Sequence, residues 1–306
     1  PYREGHRLEL GRNRTATPAA QGLPCRSWHE ESARSRPASK GLLIVHRALT
    51  GRVALVTGLS RESGIAAAVA RHLHERGATV HATGWPLHDE EMPWGPGRPA
   101  DGPFPIHHHD LEQPDVPHLL VDEVVSTHGR IDIVVAAHAR SSDGGLADVD
   151  DVELDRCWAV NVRSIVLLAK RFAARHVPAP GGTPPIGRML WFSSGQHLGP
   201  MDAELAYAVS RGAVHQMSAS VDRALSSAGI VANCINPGPV DTGYATGAVH
   251  RAVADRFPDG RWGSPDDVAN LVEFLVSDAG AWIRGQVIDA EGGFHRFGID
   301  AENPLG

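Results

Sequence analysis

The run Thr57-Gly58-Leu59-Ser60-Arg61-Glu62-Ser63-Gly64-Ile65-Ala66 sets glycines, hydroxyls and a guanidinium between a short apolar segment and a helical pattern. Glycines in such a place permit a tight turn and let the backbone approach a pyrophosphate, whose charge the following helix N-terminus stabilises. A strand-turn-helix without a ligand would use the same glycines, so position carries more of the argument than spelling. The run also departs from G-x-G-x-x-G, with Ala66 at the third glycine place. Gly58, Ser60, Arg61, Gly64 and Ile65 are its candidate cofactor contacts.

Cofactor choice is read from the end of the next strand, where an acidic residue would bind the ribose 2'-hydroxyl of NAD. None is present, since the chain reads His81-Ala82-Thr83-Gly84-Trp85 and the next acids are Asp89 and Glu90. Arg61 lies within the turn, where a guanidinium can pair bidentately with a 2'-phosphate. NADP(H) rather than NAD(H) is therefore the expected cofactor; a solvated Arg61 is the bland alternative.

The elements that must position this turn alternate along the chain. Val53 to Val56 reads as a buried strand, and Ile65 to Arg76 as a helix closed by Gly77. Further strands are predicted over 79–83, 105–109, 131–136, 188–192, 230–235 and 286–289, and helices over 115–128, 152–176, 203–228 and 265–277. Strands alternating with helices imply right-handed crossovers and an α/β fold, a doubly wound parallel sheet of Rossmann type. Two segments break the alternation. Residues 85–104 are too rich in proline and glycine for a helix, yet carry Trp85 and Trp94; residues 237–262 are long, glycine-rich and a candidate substrate lid.

Several ordered motifs then converge. They are the Thr57-Gly58 turn, Asp110-Leu111 after the third strand, Asn161 in a long helix, Ser193-Ser194 thirteen residues ahead of Tyr207-Ala208-Val209-Ser210-Arg211, and Asn236-Pro237-Gly238-Pro239-Val240-Asp241-Thr242. Gly263-Ser264-Pro265-Asp266-Asp267-Val268, Gly285-Gln286 and Gly292-Gly293-Phe294 follow in order. From residue 50 to about 296 the chain resembles the short-chain dehydrogenase/reductase family, in its 3-oxoacyl-[acyl-carrier-protein] reductase-like form.

The resemblance implies an oxidoreductase that interconverts a ketone and a secondary alcohol. Tyr207 would be the acid/base group, Ser194 would polarise the substrate carbonyl, and Asn161 would hold a water in the proton relay. Arg211 stands where the family has lysine. Asp110 and Leu111 would contact the adenine, Pro237 and Gly238 the nicotinamide face, and Thr242 the carboxamide region; Ala137 and Val240 complete the cofactor set. Hydride transfer builds negative charge on oxygen, so a donor held at hydrogen-bond distance lowers the barrier. A phenol with an ordinary pKa near 10 needs a nearby cation for that task.

Two departures qualify the resemblance. Arg211 keeps the positive charge one helical turn from Tyr207 but stays protonated, so it does not pass protons as an ammonium would; slower turnover is the expectation. At Val135-Ala136-Ala137-His138-Ala139-Arg140 the family's asparagines are missing, and His138 is read first as packing at a strand end, with replacement of the asparagines' bonds or a ligand contact as the alternatives. The alternative function is a cofactor-binding protein with weak or no catalysis, a sensor or scaffold.

Other features exclude functions. Adjacent strand residues point to opposite faces, so His107-His108-His109 is not expected to converge on one ion, and no metal site is assigned. Cys25, Cys157 and Cys234 match no zinc or disulfide spacing and read as buried or idle thiols. The net charge of -7 conceals a cationic residues 1–49 ahead of a strongly acidic body, which argues against nucleic acid. Residues 1–49 read as a disordered extension and 50–306 as the catalytic domain. No apolar run reaches membrane-spanning length, and the chain reads as cytoplasmic. The helices 152–176 and 203–228 exceed what one subunit need bury, and the resemblance implies that they pair across subunits in a homotetramer or homodimer. The partner class is a small-molecule carbonyl or alcohol.

Overall fold

Val53, Ala54, Leu55, Val56 and Thr57 are buried on both faces of their strand, as an apolar run in the middle of a parallel sheet requires. The computed structural model describes residues 48–178 and 187–296. The expectation of a disordered extension over residues 1–49 falls almost wholly outside them. Leu49, at its boundary, packs fully buried in the core and donates its N–H to Arg76 O.

Seven parallel strands form one sheet in the order β3-β2-β1-β4-β5-β6-β7. They are β1 (Val53–Thr57), β2 (Thr79–Gly84), β3 (Ile106–His108), β4 (Ile133–Ala136), β5 (Gly187–Phe192), β6 (Ile230–Asn236) and β7 (Val287–Asp289). The order reverses between β1 and β4, which opens a crevice at their carboxyl ends. Helices α1 (Ile65–Glu75) and α9 (Pro265–Val276) cover one face, where Ala66, Val69, Leu73, Val272 and Val276 join Val56 and Val135. Helices α3 (Val116–His128) and α5 (Ser164–Arg175) cover the other, with Leu120, Val124, Ile165 and Phe172 against Leu55 and Trp191. At the bottom of the switch, the buried Asp132 carboxylate accepts the Val53 N–H at 2.9 Å and a two-point bond from Arg130.

Four segments differ from their sequence reading. The helix expected over 152–176 is α4 (Asp151–Trp158) and α5 joined by a π turn at Ala159–Arg163, and that turn contains Asn161. Ser164 Oγ bonds back to Val160 O there, and widened turns of this kind recur at functional positions. The stretch 203–228 divides into α6 (Leu205–Gln216) and α7 (Ser218–Leu225), where Ser218 Oγ donates to the carbonyl of His215. Residues 85–104, read as helix-free, begin with the short α2 (Pro86–Glu91), because a proline in the first turn loses no helical bond. The 237–262 segment likewise carries α8 (Gly247–Ala254). The motif that opens α9 has a local cause: Ser264 and Asp267 form a capping box, each bonding the other's backbone N–H. Among the described residues, no helix is long and apolar enough to cross a membrane.

Candidate active site

Gly58 ends β1 with φ +93, and a Cβ built there would lie 2.7 Å from both Ala137 O and His138 N. Only glycine lets the two strand ends close this far. Its N–H and that of Leu59 are tied to Thr83 O, so the turn is drawn toward β2 and the N-terminus of α1 faces the crevice. No side chain caps that terminus and no acid lies in its first turn, which leaves its positive end for an anion.

An open cavity of about 1080 Å3 lies over this crevice. Gly58, Ser60, Arg61, Gly64, Ile65, Asp110, Leu111, Ala137 and Thr242 all line it. Pro237, Gly238 and Val240 are not on its wall and follow β6 instead. The glycine cradle, the free helix end and a cavity of this size fit a dinucleotide. The wall also includes Trp85, His88, Asp89, Glu91, Trp94, His109 and Arg140, which sequence reasoning did not assign. The signal for them was the pair of tryptophans in a proline-rich stretch.

Arg61 joins three segments. Its Nε lies 3.0 Å from an Asp89 carboxylate oxygen, one terminal nitrogen donates to Thr242 O at 2.9 Å, and its guanidinium sits 5.7 Å from the Trp94 ring centre. Trp94 also donates its indole N–H to Asp89 and meets Tyr244, which in turn packs on Trp262. The two irregular segments, 85–104 and 237–262, thus close on each other through aromatic edges beside the phosphate turn. Asp110 accepts the N–H of Glu112 and the amide of Gln113, shaping the turn after β3.

The catalytic candidates fall outside the cavity wall, and Asn161, Tyr207 and Arg211 are joined in a network of their own. Arg211 is 2% exposed, donates to Phe192 O at 2.9 Å and holds its guanidinium carbon 5.0 Å from the centre of the Tyr207 ring. Asn161 is fully buried: its Oδ1 accepts the Arg140 N–H, and its Nδ2 donates to Arg140 O and Ser210 Oγ. Ser210 Oγ donates to Tyr207 O, and Tyr207 N–H donates to Ser142 Oγ. One residue frame therefore runs from the π turn to the start of α6. Both amide protons of Asn161 are committed, so only a lone pair on Oδ1 is open to a water. Ser194 stands two residues past Phe192, its hydroxyl 3.9 Å from Met201 sulfur.

His138 is more than packing. Its Nδ1 is 2.6 Å from Thr57 Oγ1, and its Nε2 is 2.7 Å from Ser164 Oγ and 3.1 Å from Val160 O. A carbonyl only accepts, so Nε2 carries the proton and Nδ1 receives the threonine hydroxyl. Burial, with the Arg211 charge adding to it, pushes its pKa down to about 3, and the ring is neutral. Cys157 and Cys234 are buried free thiols whose pKa values burial raises to about 11, which removes them as nucleophiles.

The seven-stranded doubly wound sheet and the glycine cradle at its switch point define a nucleotide-binding α/β protein. Comparison with known sequences narrows this. The family described as Enoyl-(Acyl carrier protein) reductase matches residues 58–295. The chain is 33% identical over 253 residues to an uncharacterized oxidoreductase, YjdA, of Bacillus subtilis (strain 168), covering 80% of this chain and 97% of that one. It is 32% identical over 263 residues to the chloroplastic NADPH-dependent aldehyde reductase 2 of Arabidopsis thaliana, covering 80% and 94%. A short-chain dehydrogenase of Burkholderia cenocepacia J2315 solved in complex with NADP superposes with a TM-score of 0.67 at 29% identity, covering 80% and 98%. The chain belongs to the short-chain dehydrogenase/reductase family of oxidoreductases.

The state of His138 sets a pH dependence. Between the ordinary imidazole value of about 6.5 and the folded value of about 3, the unfolded chain binds a proton that the folded chain refuses. Stability is therefore complete above that window and falls as pH drops through it, by at most about 1.4 kcal/mol per pH unit for one group. His138→Asn is expected to flatten the decline measured by urea unfolding at successive pH values; an unchanged slope would assign the decline to other histidines.

Proposed function

We propose that the protein is an NADP(H)-dependent reductase that interconverts a ketone and a secondary alcohol. The observation that carries this reading is the buried Arg211 guanidinium held over the Tyr207 ring, with the Tyr207 backbone fixed through Ser210 to Asn161. A fixed cation there sets a positive charge beside the group that handles the proton as negative charge builds on the substrate oxygen.

When bound, the dinucleotide supplies the hydride. Tyr207 Oη delivers a proton to the carbonyl oxygen as negative charge builds on it, and Ser194 Oγ donates a hydrogen bond to the same oxygen. Arg211 stays charged throughout, so the phenolate regains its proton from solvent rather than through the Arg211 side chain. Asn161 is a positioning residue, with its free Oδ1 lone pair available to a relay water. Asp110 and Leu111 take the adenine end, Ala137 and Val240 the middle of the cofactor, and Pro237, Gly238 and Thr242 its nicotinamide end. Segment 237–262 acts as the lid over the substrate.

The missing acid at the end of β2, Arg61 in the phosphate turn, and relatives described as NADPH-dependent or solved with NADP support NADP(H) over NAD(H). The Asp89 carboxylate and Trp94 ring hold the Arg61 guanidinium in place for the 2'-phosphate. A second copy of the chain is the proposed partner of α4 and α6, where the exposed Leu154, Trp158 and Val209 line a shallow apolar depression. Sedimentation is expected to give a dimer or tetramer, and a clean monomer at micromolar concentration would count against it.

The sensor or scaffold reading rests on Arg211 in the lysine place and on the missing asparagines after β4. Tyr207→Phe is expected to lower ketone reduction by about 10²- to 10⁴-fold with NADPH binding kept. Arg211→Lys is expected to raise the rate. NADPH oxidation at background in both the parent and Arg211→Lys, across a broad ketone panel, would favour the sensor. NADPH is expected to bind more tightly than NADH, and Arg61→Ala to bring the two affinities together. Equal affinities in the unmodified protein would overturn the cofactor assignment.

A further inference from the structure

Pleating along β2 sends Val80 and Ala82 to the α1 side of the sheet, so His81 and Thr83 face α3. β3 pairs with it so that His107 lies opposite Thr83, which puts His107 and His109 on that same face and His108 on the other. Glu123, on α3, projects into the group. Its Oε1 is 3.6 Å from His81 Nε2 and 3.4 Å from His107 Nδ1, and its Oε2 is 3.1 Å from His109 Nε2. The donor atoms of His81, His107 and Glu123 all lie within 4.8 Å of one another.

His81 is 3% exposed, and its Nε2 has no hydrogen-bond partner although it points at the carboxylate. A buried ring nitrogen left this way is unfavourable, and packing of β2 between β3 and β1 needs no imidazole at this position. The His107 and His81 rings are parallel with centres 4.4 Å apart, and the His128 ring meets His81 edge-on. Thr83 Oγ1 bonds His109 Nδ1 at 3.0 Å, which fixes the His109 ring with Nε2 toward Glu123.

We infer that His81, His107 and Glu123 form a binding site for a divalent first-row transition metal, zinc foremost, on the α3 side of the sheet edge. Two imidazole nitrogens and a carboxylate oxygen are a donor set that zinc accepts, with a fourth position left for water. His107 turns out of its stack on His81 to bring its Nδ1 lone pair onto the ion, a motion its partly exposed position permits. His109 holds the second oxygen of Glu123, the arrangement that orients a ligating carboxylate. The site is separate from the Tyr207 network, since none of its three ligands belongs to that network or to the cavity wall.

The experiment uses the full chain without an affinity tag, stripped by a chelator, then titrated with cobalt(II) and zinc(II) by calorimetry and visible absorption. Expected is one tight equivalent with the intense visible bands of low-coordinate cobalt, displaced by zinc. Glu123→Gln and His107→Ala are expected to weaken binding by roughly 10-fold or more, and His108→Ala, on the opposite face, to leave it unchanged. Circular dichroism identifies any variant that fails to fold, in which case His109→Ala replaces it, with a weakening of roughly 10- to 100-fold expected. Binding that is undetectable, that survives in the folded variants, or that is lost equally in His108→Ala would overturn the assignment.

Discussion

The neutral imidazole of His138 is the joint on which the site depends. It receives the Thr57 hydroxyl at the end of β1 and donates to the Val160 carbonyl in the π turn, with Ser164 beside it. These bonds connect the strand that leads into the glycine turn with the turn that carries Asn161. A protonated ring would present a donor to Thr57 and add a second buried cation near Arg211, so burial keeps the ring neutral. From this joint the order passes outward: Asn161 secures Arg140 and Ser210, and Ser210 secures the Tyr207 carbonyl.

The cofactor side is organised by closeness of backbone rather than by side-chain bonding. Gly58 has room for no Cβ between itself and the Ala137–His138 peptide, and Gly84 would place one 2.1 Å from Leu59 O. The phosphate turn is clamped between the ends of β2 and β4, with Arg61 as its outward polar contact to Asp89 and Thr242. That clamp is also why the end of β2 has glycine at Gly84, where any side chain would meet Leu59 O.

Much of this was legible in the chain. Buried apolar runs at β1, β4 and β6, the glycine turn and the helix starts follow from local chemistry, and the strand-helix alternation leads to the parallel sheet. Nine of the cofactor-binding candidates line one cavity. Less legible were the elements whose shape depends on a distant partner. The π turn at Asn161 answers to Ser164 and His138. The helix Pro86–Glu91 ends where Asp89 meets Arg61 and Trp94, residues on either side of it in sequence but joined only by folding. His138 looked like packing because its three partners lie on β1, the π turn and the start of α5.

Sequence by itself determined the family, the doubly wound sheet and the identity of the residues able to do chemistry, because periodicity and motif spacing are local properties of the chain. Tertiary structure alone decided what those residues face. Adjacency along a strand excludes convergence of His107, His108 and His109, yet pairing of β2 with β3 and the covering α3 bring His81 and Glu123 to two of them. It also decided that Arg211 lies over the Tyr207 ring rather than in solvent. Register and helix packing are set by contacts distant in the chain, and those contacts fix both the direction of a side chain and the protonation state that burial imposes on it.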